Sequence, residues 1–339
     1  MKALLIPGDG QVNLVELPDP TPGPGEVVMQ VHRSGICGTD LKFLEETVAE
    51  AAGRAAFVPG HESAGVIVAV GPGVATRKVG ERVIGYHHIG CGLCHHCRSD
   101  LPTQCADKTV TGRTRHGSNA EYELLPEWAV FPLPDEFDFN EGVLLACNVS
   151  TAFSALGKAG ASPFTRIAVF GQGVVGLSAT MLAAALGARV AAIDLSPNRL
   201  KLAAEFGAEL TLNPAVDDVA GTLIRWSGRG VDRVIECSGS AKAVQQALAA
   251  LGPEGTMVFV GAGSHIDTLS NTLLGRELKL WGSSVYRPGE YQPMLDLIQS
   301  KHLPIKKLIE REFAPEAAGE AYALAAKREA GKLLFRWHD

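Results

Sequence analysis

From residue 166 onward the chain alternates short apolar runs with amphipathic ones, and this alternation restricts the fold more than any other feature. RIAVF, RVAAIDL, ELTLNP, DRVIECS, TMVFVGA and LKLWGSS read as strands, while VVGLSATMLAAALG, PNRLKLAAEFG and SAKAVQQALAALG between them read as helices. Strands separated by ten- to fifteen-residue helices pair in parallel and are covered on both faces. This part is therefore expected to be α/β, built on a doubly wound parallel sheet. Residues before 150 have a different texture. VVMQVHRSGI, ESAGVIVAVG and ERVIGYHHI are short β-branched runs separated by turn signals such as PTPGPGE and VGPGV, the pattern of a β-rich, barrel-like domain. The C-terminal stretch is mixed, with a helix in EAAGEAYALAAKREA and a last strand in KLLFRW. A length of 339 residues agrees with two domains, since one core seldom serves more than ~250–300.

The junction RIAVFGQGVVGLSATML holds Gly171, Gly173 and Gly176 as G-x-G-x-x-G between a strand and a helix. In that context each glycine has a task. Gly171 permits a tight turn, Gly173 lets the backbone approach a pyrophosphate, and Gly176 lets helix and strand pack closely. The phosphates would sit at the helix N-terminus, where free N–H groups and the dipole favour negative charge. The next strand ends at Asp194, placed to accept hydrogen bonds from both hydroxyls of an adenosine ribose and to repel a 2′-phosphate. NAD is expected over NADP. Arg199 tempers that preference, because a nearby cation could tolerate the phosphate.

A net charge of −6 gives no reason to expect nucleic acid or an anionic membrane as partner. MKALLIPGDGQVNLVELP has too short an apolar run for a signal peptide, and MLAAALGARVAAI, the nearest approach to a membrane span, is interrupted by Gly187 and Arg189. A cytoplasmic protein is expected, in which cysteine clusters bind metal more often than they form disulfides. Four of the seven cysteines, Cys91, Cys94, Cys97 and Cys105, fall within GCGLCHHCRSDLPTQC. Four thiolates would close a tetrahedral shell around Zn²⁺ and leave no position for substrate, so this lobe should hold structure rather than react. His95 and His96 are then exposed loop residues. The acidic balance argues against a nucleic-acid-binding zinc ribbon.

Together these motifs carry a resemblance. GICGTD at 35–40, GHE at 60–62, VGERV at 79–83, the four-cysteine lobe, ACNVSTAF at 146–153 and the glycine fingerprint occur in the order found in the zinc-dependent medium-chain alcohol/polyol dehydrogenases. The chain resembles that family along essentially its whole length. The resemblance implies a GroES-like catalytic domain over 1–149 with its structural zinc lobe at about 87–105, a Rossmann NAD-binding domain over 150–286, and a return to the catalytic domain over 287–339. It implies two Zn²⁺ per chain. Cys91, Cys94, Cys97 and Cys105 would hold the structural ion, and Cys37, His61 and Cys147 the catalytic one. Glu62 matches a position that ligates zinc in some members and not in others. Cys147 is less secure, because some polyol-oxidising relatives leave that coordination to water. Asp40 matches the carboxylate that orients the ligating histidine.

Thr39 matches the hydroxyl that accepts the alcohol proton. Position 42, often a proton-delivering histidine, is Lys42 here, and an unperturbed lysine of pKa ~10.4 is a poor acceptor at neutral pH. Thr151 and Val175 match positions behind the nicotinamide, and Arg199 one at the adenosine ribose. Val260, Gly261 and Ala262 match a backbone segment bound to the carboxamide, and Lys332 could reach the pyrophosphate. Cys237 is expected as a buried thiol. His87, Leu124, Trp281 and Tyr286 are candidate walls of a substrate pocket. Gly38 beside Cys37 leans towards the polyol, butanediol and threonine dehydrogenases, so the expected reaction oxidises a small secondary alcohol or polyol to the ketone with NAD. The alternatives are a primary-alcohol dehydrogenase, a zinc-free NADPH quinone or enoyl reductase and, last, a non-catalytic dinucleotide-binding protein. Relatives with the zinc lobe are commonly homodimers or homotetramers.

Overall fold

The computed structural model describes residues 1–7, 10–45, 57–328 and 330–339. The chain divides into two compact units, Met1–Cys147 with Ile305–Asp339, and Asn148–Pro304.

In the first unit a seven-stranded sheet is organised by the long strand Glu26–Gly35, which pairs antiparallel with Ser63–Val70, Tyr122–Pro126 and Lys332–Arg336. Arg82–Gly85 and Val130–Pro132 extend it on one side, and Ile309–Phe313 joins Lys332–Arg336 in parallel on the other. The central strand is apolar almost throughout, and Val27, Met29 and Val31 are fully buried. Strand register brings distant motifs together. Ser34 lies opposite Ser63 and Gly35 opposite Leu334, so GICGTD, GHE and GKLLF converge at one end of the sheet although they are far apart in sequence. Helix Phe139–Ala146, started by the capping box of Asp138 and Glu141, packs on strands 26–35, 63–70 and 82–85. EAAGEAYALAAKREA folds as helix Ala318–Ala326 after a short 3₁₀ turn, and Glu329 lies outside the described residues.

The second unit is the expected α/β sandwich. Its six strands run in the order 210–212, 189–193, 166–170, 231–236, 251–259, 279–282, with every pairing parallel. In sequence order this is 3-2-1-4-5-6, the doubly wound arrangement whose ligand crevice opens at the carboxyl ends of strands 166–170 and 231–236. Ala168, Phe170, Ala191, Ile193, Val234 and Met257 form its core with Leu223, Val244 and Leu248 from the covering helices. Ser196, Asp218 and Ser240 each cap a helix by accepting a main-chain N–H.

Two expectations are corrected. Residues 287–304 belong to the second unit, because helix Tyr291–Lys301 buries Tyr291, Met294, Leu295 and Ile298 and packs against helices Asn148–Ala159 and Val174–Ala185. One helical run, Phe139–Ala159, is also long and apolar enough by composition to cross a membrane, at 21 residues and mean hydropathy 1.2. It is 83% buried, as a core helix should be, and Cys147 breaks it with φ −143° and ψ −63°.

Candidate functional site

Cys37 follows the central strand, His61 and Glu62 precede its neighbour, and Cys147 ends helix Phe139–Ala146. Packing brings one donor atom from each of these four residues within 4.8 Å of the other three. Asp40 is fully buried. Its Oδ2 accepts the Cys37 N–H at 2.8 Å and its Oδ1 lies 3.5 Å from His61 Nδ1, so one carboxylate holds the loop and faces the imidazole. This is how a carboxylate orients a ligating histidine. Thr39 is exposed, with its hydroxyl 3.9 Å from Cys37 Sγ. Lys42 is exposed in the same helix, Gly38–Glu45.

The cluster has the electrostatics of a cation site. The Cys37 thiol is held well below its usual range by the Cys147 side chain and then by His61, against burial, while Cys147 is pushed well above by Cys37 and burial. The two thiols are therefore pushed in opposite directions, Cys37 towards the thiolate and Cys147 towards the thiol. Burial opposes a charged His61, but Cys37 and Asp40 outweigh it and raise its pKa well above the usual value. A site that gathers this much negative charge around two sulfurs and an imidazole suits a borderline-soft divalent ion such as Zn²⁺.

Glu62 has a partner that sequence reasoning missed. Lys332, only 1% exposed, donates to the Ile36 carbonyl at 3.0 Å and forms a close ion pair with Glu62, which is itself fully buried. Burial works against the charged lysine, but Glu62 and Cys37 outweigh it and raise its pKa. Lys332 therefore sits inside the first unit and is not extended towards a pyrophosphate. Space for the pair exists because residue 35 is glycine; a Cβ there would strike Glu62 Oε2, Lys332 Cε and Val143 Cγ1.

Cys91, Cys94, Cys97 and Cys105 form the second candidate metal group, also with their sulfurs within 4.8 Å of one another and with no disulfide. Cys94 and Cys97 are 3.5 Å apart, close to the ~3.8 Å edge of a tetrahedron with ~2.3 Å zinc–sulfur bonds. The Cys94 and Cys91 amides each point at a sulfur from 3.4 Å. Amides of Leu93 and Cys94 draw the Cys91 thiol down to about 7, favouring the thiolate a metal requires, whereas burial holds Cys97 at about 12 until a cation compensates. His95 and His96 are exposed and outside the group.

In the second unit Gly171 has φ +84°, and a Cβ on it would press on the Ser238 main chain. A Cβ on Gly176 would run into the Gly171 carbonyl, whereas nothing lies within 4 Å of one on Gly173, the residue that opens helix Val174–Ala185. These are the three tasks read from the motif: turn, close packing and open approach. Buried Gln172 ties the loop down by donating to the Val169 carbonyl and accepting from Thr180. Asp194 accepts from the Gln172 amide at 2.6 Å through Oδ2 and from the Ser196 amide at 2.8 Å through Oδ1. Each carboxylate oxygen keeps a lone pair for a ribose hydroxyl. Arg199 lies in the first turn of helix Pro197–Glu205, which Ser196 caps.

The remaining candidates are dispersed. Thr151 is buried in helix Asn148–Ala159, and Val175 is half-buried in the helix that Gly173 opens. Val260 and Gly261 both donate their amides to the Glu236 carbonyl at 2.8 Å, and Ala262 is exposed beside them. Cys237 is half-buried, its thiol raised by burial and by Glu236. His87 is buried with its ring 4.8 Å from that of His61, and Leu124 is half-buried in strand Tyr122–Pro126. Trp281 is 50% exposed on the edge strand Lys279–Gly282, whereas Tyr286 is buried.

A six-stranded doubly wound sheet with a glycine-rich turn, accompanied by a β-rich unit carrying two thiolate clusters, defines a dinucleotide-dependent, zinc-type oxidoreductase. Comparison with known proteins agrees. The alcohol dehydrogenase GroES-like domain model matches residues 23–135 and the zinc-binding dehydrogenase model residues 174–300. The uncharacterized zinc-type alcohol dehydrogenase-like protein YphC of Escherichia coli K12 is 32% identical, covering 100% of this chain and 99% of its own. L-threonine 3-dehydrogenase of Saccharopolyspora erythraea is also 32% identical, covering 99% of each. Among solved structures, an alcohol dehydrogenase from Escherichia coli CFT073 complexed with NADH has TM-score 0.90 and 25% identity over 99% of both chains. A zinc-binding dehydrogenase from Sinorhizobium meliloti 1021 bound to NADP has TM-score 0.89 and 28% identity over 99% of this chain and 98% of that one. The chain belongs to the zinc-dependent medium-chain alcohol dehydrogenase family.

Proposed function

We propose that this protein oxidises a small secondary alcohol or polyol to the corresponding ketone, with NAD as coenzyme and two Zn²⁺ per chain. The observation that carries the reading is the convergence of Cys37, His61 and Cys147 beside a Glu62 already engaged by Lys332. That set offers three protein ligands with the carboxylate occupied elsewhere, which suits an ion that keeps a position open for substrate. Bound Zn²⁺ would supply Lewis acidity that brings an alcohol hydroxyl within reach of neutral pH, and bound NAD the hydride acceptor.

The chain's own residues do the rest. Asp40 holds His61 in orientation and Cys37 in place. Thr39, exposed at the start of its helix, takes the hydroxyl proton, and exposed Lys42 leaves water as the onward route. Asp194 receives the adenosine ribose and disfavours a 2′-phosphate, while Thr151, Val175, Arg199 and the segment Val260–Ala262 line the coenzyme. Cys91, Cys94, Cys97 and Cys105 hold the structural ion. The threonine dehydrogenase among the relatives supports a secondary alcohol as substrate class. Half-exposed Trp281 on an edge strand supports a homo-oligomer, and seven cysteines free of disulfides support a reducing, cytoplasmic setting.

Metal analysis together with a panel of secondary alcohols, polyols and primary alcohols, read as NADH or NADPH absorbance, tests the reading. Two zincs per chain and turnover of secondary alcohols with NAD are expected. A fully zinc-loaded protein that turns over no alcohol with either coenzyme would refute it.

A further inference from the structure

Glu236 closes strand Val231–Glu236 at the carboxyl edge of the second unit's sheet, beside the strand that leads into the glycine-rich turn. It is fully buried and takes main-chain amides at both its carbonyl and its carboxylate. Its carbonyl accepts the amides of Val260 and Gly261, both at 2.8 Å. Its carboxylate accepts the Ser238 amide at 2.8 Å, the Gly239 amide at 3.0 Å and the Ser238 hydroxyl. One residue thus holds two loops, 237–239 and 260–262, by opposite ends.

The loops are also locked against each other and against the glycine turn. A Cβ on Gly261 would come within 2.8 Å of Glu236 Oε2, and one on Gly239, at φ +65°, within 2.6 Å of the Ala262 carbonyl. A Cβ on Gly171 would meet the Ser238 nitrogen at 2.8 Å, and the Cys237 amide donates to the Phe170 carbonyl at 2.8 Å. Three loops at this edge therefore share one set of spacings; the buried Glu236 carboxylate anchors 237–239, and the carbonyl of the same residue anchors 260–262. Four amides of this edge, those of Ser238, Gly239, Val260 and Gly261, are committed to Glu236 and are withheld from an arriving ligand. A carboxamide can still offer its NH₂ to main-chain carbonyls of such an edge.

We propose that Glu236 is a positioning residue for the coenzyme, holding loops 237–239 and 260–262 at the separation that receives the nicotinamide carboxamide. The inference rests on the dinucleotide reading above and extends it to a side chain that the glycine motif does not contain. Glu236→Ala removes the acceptor. Glu236→Gln keeps one carbonyl oxygen able to take the Ser238 and Gly239 amides.

The test is NADH titration by fluorescence, combined with steady-state kinetics for NAD and for an alcohol turned over by the wild-type protein. Glu236→Ala is expected to weaken NADH at least tenfold and to raise KM for NAD comparably, with KM for the alcohol within twofold; Glu236→Gln should return NADH affinity to within threefold of wild type. Folded Glu236→Ala that binds NADH within twofold of wild type overturns the proposal, as does Glu236→Gln no better than Glu236→Ala. Should Glu236→Ala not fold, Gly261→Ala parts the loops independently; a tenfold loss supports the proposal and unchanged binding overturns it. A wild-type protein that binds neither NADH nor NADPH overturns the dinucleotide reading itself, whereas the variant outcomes bear on Glu236 alone.

Discussion

Replacing Lys332 by methionine, which keeps the length of the side chain and removes its charge, isolates the buried pair with Glu62. Glu62 is fully buried, and His61 would then be the cationic neighbour that remains to it among the described residues. Breaking one side of a buried pair typically costs about 3–5 kcal/mol. A second route to the magnitude is protonation. Neutralising a carboxyl with the reference pKa of 4.5 at pH 7 costs about 3.4 kcal/mol, at ~1.36 kcal/mol per pH unit. The two values agree at about 3 kcal/mol, and the second adds a pH dependence. In the variant, burial raises the Glu62 pKa with only His61 still opposing it, beyond a wild-type carboxyl that burial already holds above its usual value, so the folded state keeps a proton that the unfolded state releases above pH 4.5. The penalty relative to wild type therefore grows as pH rises through that window, to at most about 0.7 kcal/mol at pH 5 and about 3 kcal/mol at pH 7. Urea unfolding of metal-free protein at pH 5 and pH 7 measures it. Lys332→Met combined with Glu62→Gln should recover most of the loss, because neither member of the pair then carries a charge to bury. A single variant within about 1 kcal/mol of wild type at pH 7, or a double variant no more stable than the single, would refute the reasoning.

Glu123 offers a second pH test. Burial raises its carboxyl to about 7 despite the Ser63 hydroxyl, which donates to it at 2.6 Å. Wild type should lose up to about 3 kcal/mol relative to Glu123→Gln between pH 4.5 and 7, and equal pH slopes in urea melts would contradict this. Cys97→Ser should lower bound zinc by about one per chain and reduce Tm while the Cys37 cluster keeps its ion; unchanged zinc content would exclude the lobe as a metal site. Asp194→Ser removes the carboxylate expected to repel a 2′-phosphate. The ratio of kcat/KM for NAD to that for NADP should fall at least tenfold, about 1.4 kcal/mol of discrimination, and an unaltered ratio would place coenzyme choice elsewhere.

Much of the architecture is legible in the sequence, and the reason is locality. The glycine turn, its following helix and the four-cysteine lobe are each encoded within a short span, where backbone geometry and side-chain reach settle the outcome. The alternation of strands and helices implies the parallel sheet because few topologies satisfy it. Residues 287–304 are misplaced by sequence reasoning for the complementary reason. The pattern of helix Tyr291–Lys301 shows that it must bury one face, but not which unit supplies the partner.

The candidate site is legible unevenly. Cys37, His61 and Cys147 are nominated only through resemblance, since no spacing rule joins residues so far apart. Lys332 receives a different task from sequence alone, because a lysine in GKLLF reads as a surface cation. Its burial against Glu62 follows from strand register, which sets Gly35 opposite Leu334 and Ser34 opposite Ser63. Glu236 gives no motif signal at all, because its role depends on two loops meeting at a sheet edge. Sequence alone determined the short-range devices: which turn needs glycine, which loop collects thiols, which strand ends in a carboxylate. Tertiary structure decided which distant groups share a low-dielectric space, because register and packing, rather than spacing along the chain, determine where buried charges meet.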